Sequence, residues 1–220
     1  MKNMTLAATS VVALLLLLTI GAPGASADTF NITSCHISTG CPAAGTIFGT
    51  VDLTQSGNDV IFDVTLLNGN RFVETGFGFL FAFNDTISNS AITGPYATLN
   101  GTKVTTLALT GTTNSSFSAD GFANHSAAVY CSTPSDCNGG SIPNINDLHF
   151  TVTNETIAQL TTGDAFFIAD ILCGAGVTGC AGQTGLVDAS TPSVPDGGMT
   201  LMLLGGALVG IESIRRRIRA

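Results

Sequence analysis

The chain has 220 residues, a formal net charge of −8, 26 glycines, no tryptophan and two tyrosines, Tyr96 and Tyr130. Only Arg71 and Lys103 carry positive charge between residue 28 and residue 194, so the basic footprint that DNA or RNA partners require is absent. The acidic balance favours solubility and repels anionic polymers unless divalent cations bridge the two, and the shortage of tryptophan and tyrosine weakens a sugar-stacking reading.

Lys2 precedes an apolar stretch centred on 11–20, and Ala25-Ser26-Ala27 has the small-x-small pattern of a signal-peptidase site. Residues 1–27 are therefore expected to be a secretory signal peptide, cut by signal peptidase after Ala27. An exported segment of about 167 residues follows, from Asp28 to Val194. That length suffices for one domain with a real core, placed here at 28–190.

The middle of the chain alternates with period two. Ile47, Gly49, Val51 and Leu53 fall on one face, with Thr46, Thr50, Asp52 and Thr54 opposite. Val60, Phe62, Val64 and Leu66 repeat the pattern against Asp59, Asp63 and Thr65. Such alternation marks half-buried strands. The polar Gln55-Ser56-Gly57-Asn58 between the two runs makes them a hairpin. Phe77, Phe79, Phe81 and Phe83 then form one stripe, spaced by Gly78, Leu80 and Ala82. Further strands are expected at 104–110, 115–117, 127–130, 148–153 and 166–172, with Leu186-Val187 in the last. Residues 156–160 read as a short helix or turn, with Asn154 as its cap. Many short strands with Gly, Asn and Ser turns define an all-β exported domain, a β-sandwich or jelly roll.

The six cysteines fall into local pairs, Cys35 with Cys41, Cys131 with Cys137, and Cys173 with Cys180, each around a loop of small and polar residues. Sequence alone does not choose the pairing, but the spacing favours the local set. Export makes disulfides chemically reasonable, each contributing about 2–3 kcal/mol on the chain-entropy account. The competing reading is a metal site. His36 adjoins Cys35, yet no C-x-x-C or H-x-x-x-H spacing supports zinc. The acids Asp136, Asp164 and Asp170, assigned to loops, lack an oxygen-ligand spacing for calcium. No metal and no cofactor is expected.

No catalytic constellation is expected either. His36, His125 and His149 are far apart in sequence, and no Gly-x-Ser-x-Gly elbow occurs. His149, in the strand at 148–153, is expected to face solvent. Asp59 and Asp63 share a strand face, as glycosidase acids do, but no partner pair across a cleft is evident, so they read as solvated strand positions. Within the exported region, six Asn-x-Ser/Thr sequons stand at Asn31, Asn84, Asn100, Asn114, Asn124 and Asn154. Surface glycosylation is one reading. In a chain this rich in Asn, Ser and Thr, chance is the preferred one.

The end of the chain joins three features in order. Val194-Pro195-Asp196-Gly197-Gly198 comes first, then an apolar run over 199–214, then the basic stop Arg215, Arg216, Arg217 and Arg219. The run would span roughly 24 Å as a helix, short for a bilayer core of roughly 30 Å. Glu212 then sits at the interface, and the arginines match a cytoplasmic end. Gly206 and Gly210 form a small-xxx-small face. Pro195 and the glycine pair keep the motif extended and accessible.

This arrangement resembles the C-terminal sorting signal of PEP-CTERM proteins, the substrates of exosortases in Gram-negative bacteria, with Asp196 where Glu is commoner. The resemblance implies a linker and sorting signal over 191–220: motif 194–198, membrane helix 199–214 and basic tail 215–220. It implies an exosortase-like membrane transpeptidase as partner and inner-membrane retention before processing. Residues 51–60, 78–84 and 167–171 are similar to the β-domain that often precedes such signals, which implies a sandwich with a surface or matrix role and no catalytic residues. The local cysteine pairs are not general in that domain. Three functions are carried forward in order. The first is a non-enzymatic exported cell-surface or extracellular-matrix protein, sorted and C-terminally processed. The second is a module binding extracellular polysaccharide, and the third is a secreted hydrolase.

Overall fold

The computed structural model of the protein describes residues 26–37, 40–138, 145–162, 166–189 and 192–194. The signal segment up to Ala25, the membrane segment and the arginine stop lie outside the described residues, as do Pro195, Asp196, Gly197, Gly198 and Asp164. Among the described residues no helix is long and apolar enough to cross a membrane.

Among the described residues, fourteen strands build two antiparallel sheets. The first half of the chain supplies β1 (Ala27–Ile32), β2 (Ser34–Ile37), β3 (Gly49–Ser56), β4 (Asp59–Leu66), β5 (Arg71–Phe72), β6 (Phe81–Phe83) and β7 (Ala91–Leu99). The second half supplies β8 (Thr102–Lys103), β9 (Leu109–Thr112), β10 (Ala127–Cys131), β11 (Asp147–Thr153), β12 (Phe167–Leu172), β13 (Thr184–Ala189) and β14 (Pro192–Val194). One sheet, sheet A, has the order β14-β1-β3-β4-β11-β7-β8. Sheet B runs β2-β13-β12-β6-β10-β9, with β5 also paired to β12. The all-β sandwich expected from alternation is the architecture observed.

The sheets face each other because each strand carries one apolar side. Val51, Leu53, Val60, Phe62, Val64, Leu66, Leu148, Phe150 and Val152 line the inner side of sheet A, all buried. Phe81, Phe83, Val129, Phe167, Ala169, Ile171 and Val187 meet them from sheet B. Phe62 is the hub. Its ring stacks on Phe150 at 4.5 Å and approaches Phe83 at 5.1 Å and Phe167 at 5.8 Å. Offset and edge contacts of this kind add to the burial of area. The β3–β4 hairpin closes through Gly57-Asn58, since Ser56 pairs with Asp59.

Four sequence expectations are corrected. The strands expected at 104–110 and 115–117 do not form as such: 104–108 link β8 to β9, which starts at Leu109, and Phe117 makes only an isolated bridge to His125. The phenylalanine stripe is split: Phe81 and Phe83 enter the main core, whereas Phe79 joins a second, smaller core on the outer face of sheet B. Leu80 instead faces inward beside Phe81, so the strand alternation holds only over β6. The helix cap is not Asn154. The helix α1 (Ile157–Leu160) is capped by Thr156, which forms a capping box with Gln159, while Asn154 turns the chain at φ +59°. Finally, β7 was absent from the sequence reading. Gly94, at φ +59°, and Pro95 interrupt its alternation and fit a bulge, where the register to β11 jumps between Thr93 and Tyr96.

The second core consists of Phe79, Ala82, Ala119, Ala128, Ile168 and Leu186, with Phe77, Phe117 and Phe122 against it. The segment 113–126 lies over this outer face and is held by the paired backbones of Phe117 and His125. Outward-facing apolar residues on sheet B thus demand a cover. That cover creates a concave surface on this side of the molecule.

Candidate functional site

The concavity lies on the outer face of sheet B, a cleft of about 200 Å³ lined by His36, Thr75, Phe77, Asp120, Thr184 and Gly185. Its residues come from four places. β2 supplies His36 and β13 supplies Thr184 and Gly185, while Thr75 and Phe77 precede β6 and Asp120 comes from the covering segment. Strand pairing sets the floor: His36 lies opposite Leu186, which lies opposite Asp170 on β12.

Beneath Thr75 is a fully buried carboxylate. Asp170 accepts the Thr75 backbone N–H at 2.7 Å and the Thr75 hydroxyl at 3.0 and 2.9 Å. Burial, followed at a distance by repulsion from Glu74, pushes its carboxyl up to about 7, against the pull of the Thr75 hydrogen bonds. Glu74 accepts the Cys131 N–H at 3.1 Å and is also raised by burial. Asp188, on the same face, is raised by burial, an effect opposed by Ser34 and by the nearby His125. Asp170 is therefore a positioning group for Thr75 and has no surface through which to reach a substrate. The sequence reading grouped it with the loop acids, with no ligand spacing for calcium, although it falls inside the strand expected at 166–172. It is a strand residue, and the alternation of β12 turns Asp170 outward, under the chain at Thr75.

The covering segment meets His36 closely. The His36 Nδ1 lies 3.8 Å from the Asp120 carboxylate, and the Phe122 ring stands edge-on to the imidazole at 6.3 Å. Gly121, at φ +81°, makes the approach possible, since a Cβ there would fall 2.5 Å from the imidazole ring. None of Thr75, Asp120 or Thr184 was singled out from sequence, and Phe77 was read only as part of the phenylalanine stripe. Each is an ordinary residue type in a Gly- and Ser-rich stretch, and only the crossing of β2, β13 and two loops brings them together.

The other residues considered from sequence are dispersed. His149 faces outward from sheet A, as expected, but half-buried: it bonds Asp63 at 2.5 Å and stacks on Tyr96 at 4.7 Å, and Lys103 sits 4.7 Å over the tyrosine ring. This row crosses four paired strands, β4, β11, β7 and β8, and lies on a sheet face, so Asp63 has a partner that its position on β4 did not reveal. Asp59 accepts the Asn154 N–H at 3.1 Å, apart from Asp63. His125 is buried under the covering segment. Asp136 is exposed in a 3-10 turn, Pro134–Asp136. Ala27 opens β1, and Val194 ends β14.

The three local cysteine pairs are disulfides, with Cα–Cα distances of 5.9 Å for Cys35–Cys41, 6.1 Å for Cys131–Cys137 and 5.7 Å for Cys173–Cys180. These separations suit the bond. Among the described residues, Glu74, Cys131 and Cys137 bring three ligand-type atoms within 4.8 Å of one another. Both sulfurs are consumed by their mutual bond, so the set offers no thiolate. Three disulfides fit an oxidising compartment outside the cytosol.

Three sequon asparagines have a structural reason to be asparagine. Asn100, Asn114 and Asn154 hold φ of +51°, +53° and +59°, the left-handed region that asparagine tolerates better than most residues. The Asn114 and Asn154 side-chain amides also donate to the carbonyls of Ser88 and Asn89, both at 3.2 Å. Glycosylation would modify those same nitrogens. No family model, no curated protein and no solved structure matches the chain.

Proposed function

We propose that this is a non-enzymatic exported protein of the cell surface or extracellular matrix, delivered as a membrane-anchored precursor and released by cleavage of its tail. The observation that carries the reading is the pairing of β1 with β14, in which Thr29 lies opposite Val194 and Phe30 opposite Pro192. The strand that follows the signal-peptidase pattern thus lies beside the strand that ends in the first residue of the Val194-Pro195-Asp196 motif. Both processing points leave the domain at one place on one sheet edge, and neither cut would remove a strand from the sandwich. A folded domain could then hang from one membrane by either end and survive loss of both tethers. The three disulfides support export, and the order of motif, apolar run and arginines supports an exosortase-like transpeptidase as the enzyme that acts on the tail. The nucleophile belongs to that enzyme, and this chain is its substrate.

The experiment is fractionation of the native host expressing the wild type and a variant with Pro195→Ala and Asp196→Ala. The wild type is expected in the surface or matrix fraction at the shorter length, and the variant in the inner membrane at the longer one. Identical length and location for both would overturn the reading.

A further inference from the structure

We propose that the cleft between β2, β13 and the covering segment is a binding site for a single neutral sugar ring. The proposal stands independently of tail processing. The cleft, at about 200 Å³, is smaller than the roughly 300–1,000 Å³ of sites for drug-sized ligands, which limits the occupant to about one ring. Its lining divides into an apolar wall and a polar set. Phe77 is half-buried against the second core and offers a ring to the C–H face of a pyranose. Asp120 accepts hydrogen bonds, Thr184 donates and accepts, and His36 does either according to its tautomer.

Two of the polar groups, Thr75 and His36, are set before a ligand arrives. The Thr75 hydroxyl donates to Asp170, which leaves its lone pairs to accept from a sugar hydroxyl. His36 is held by the Phe122 edge and by the backbone of Gly121. Groups fixed in this way lose little freedom on binding.

Charge narrows the class. Asp120 is the carboxylate of the lining, Asp170 lies beneath Thr75, and the imidazole of His36 is the one basic group of the lining. An anionic sugar or a phosphate would meet the Asp120 carboxylate. A calcium ion would find one carboxylate and two hydroxyls in the lining, against the roughly six to eight oxygens it takes. A neutral polyhydroxylated ring satisfies both the acceptors and the aromatic wall.

The test is a two-dimensional NMR titration of the disulfide-intact domain. The probes are the methyl glycosides of glucose, galactose and mannose, then galacturonate, then calcium chloride alone. At least one neutral glycoside is expected to bind in the millimolar range and to shift the resonances of His36, Thr75 and Thr184. Phe77→Ala is expected to weaken binding at least about tenfold. Thr184→Val, which leaves the second core untouched, is expected to weaken it about threefold or more. Far-UV circular dichroism checks that each variant is folded. The proposal is overturned if no neutral glycoside shifts those resonances, if galacturonate or calcium alone is the tighter ligand, or if binding survives in the folded Thr184→Val variant undiminished.

Discussion

Replacing the buried Asp170 by asparagine should stabilise the domain above neutral pH and do little in acid. Asp170 is 0 % exposed and bonded to the Thr75 N–H and hydroxyl, yet burial raises its carboxyl from an ordinary 3.8 to about 7. Between those two values the folded chain holds a proton that the unfolded chain has lost. Stability is therefore greatest below the ordinary value and falls as pH rises toward 7, where the folded carboxyl ionises. At about 1.4 kcal/mol per pH unit, the interval corresponds to a ceiling of about 4 kcal/mol. Asparagine keeps the shape and stays neutral. Its carbonyl accepts the Thr75 N–H, and its amide donates to the Thr75 oxygen. Wild type should thus lose stability from pH 4 to pH 8, and Asp170→Asn should lose less and exceed it at pH 8. Glu74 and Asp188 are raised by burial too, and leave the variant a residual slope of the same sign. With no tryptophan to report unfolding, urea midpoints by far-UV circular dichroism are the assay. A wild-type stability that rises over this range, or an Asp170→Asn variant weaker than wild type at pH 8, would refute the reasoning.

Phe62→Ala should cost about 3–5 kcal/mol in the same assay, because the ring joins four other phenylalanines from both sheets. Glu155→Ala should cost about 1–3 kcal/mol. It strands the Thr86 and Ile87 amides, each 2.9 Å from the buried carboxylate, and should speed hydrogen exchange across that loop. Removing the Cys131–Cys137 bridge with paired serines should lower stability by about 2–3 kcal/mol. At Asn154, glycine should be close to neutral and alanine should cost about 1 kcal/mol or more, since the position is held at φ +59°.

The central hairpin was legible because both of its strands have one wet and one dry face, so Val51, Leu53, Phe62 and Val64 announce themselves by spacing. The disulfides were legible because short loops of small residues keep each pair local. Strand β7 was not, since Gly94 and Pro95 break the alternation where the strand bulges. Nor was the division of the phenylalanines, which depends on a change of face between Phe79 and Phe81 that single-strand spacing does not encode. The cleft was least visible of all. Asp170 lay in an expected strand, but its polar partner, Thr75, is 95 residues away in sequence, so its buried role did not show. His149 showed its outward face but not its contact with Asp63, 86 residues away.

The most direct test of the export-and-processing account is the intact mass of the protein isolated from its native host, before and after reduction. The account predicts a chain that starts near Asp28 and ends near Pro195 or Asp196, and that gains about six protons on reduction as three disulfides open. A mass that retains the arginines through Ala220 would contradict tail processing and leave a β-sandwich anchored by its uncut end.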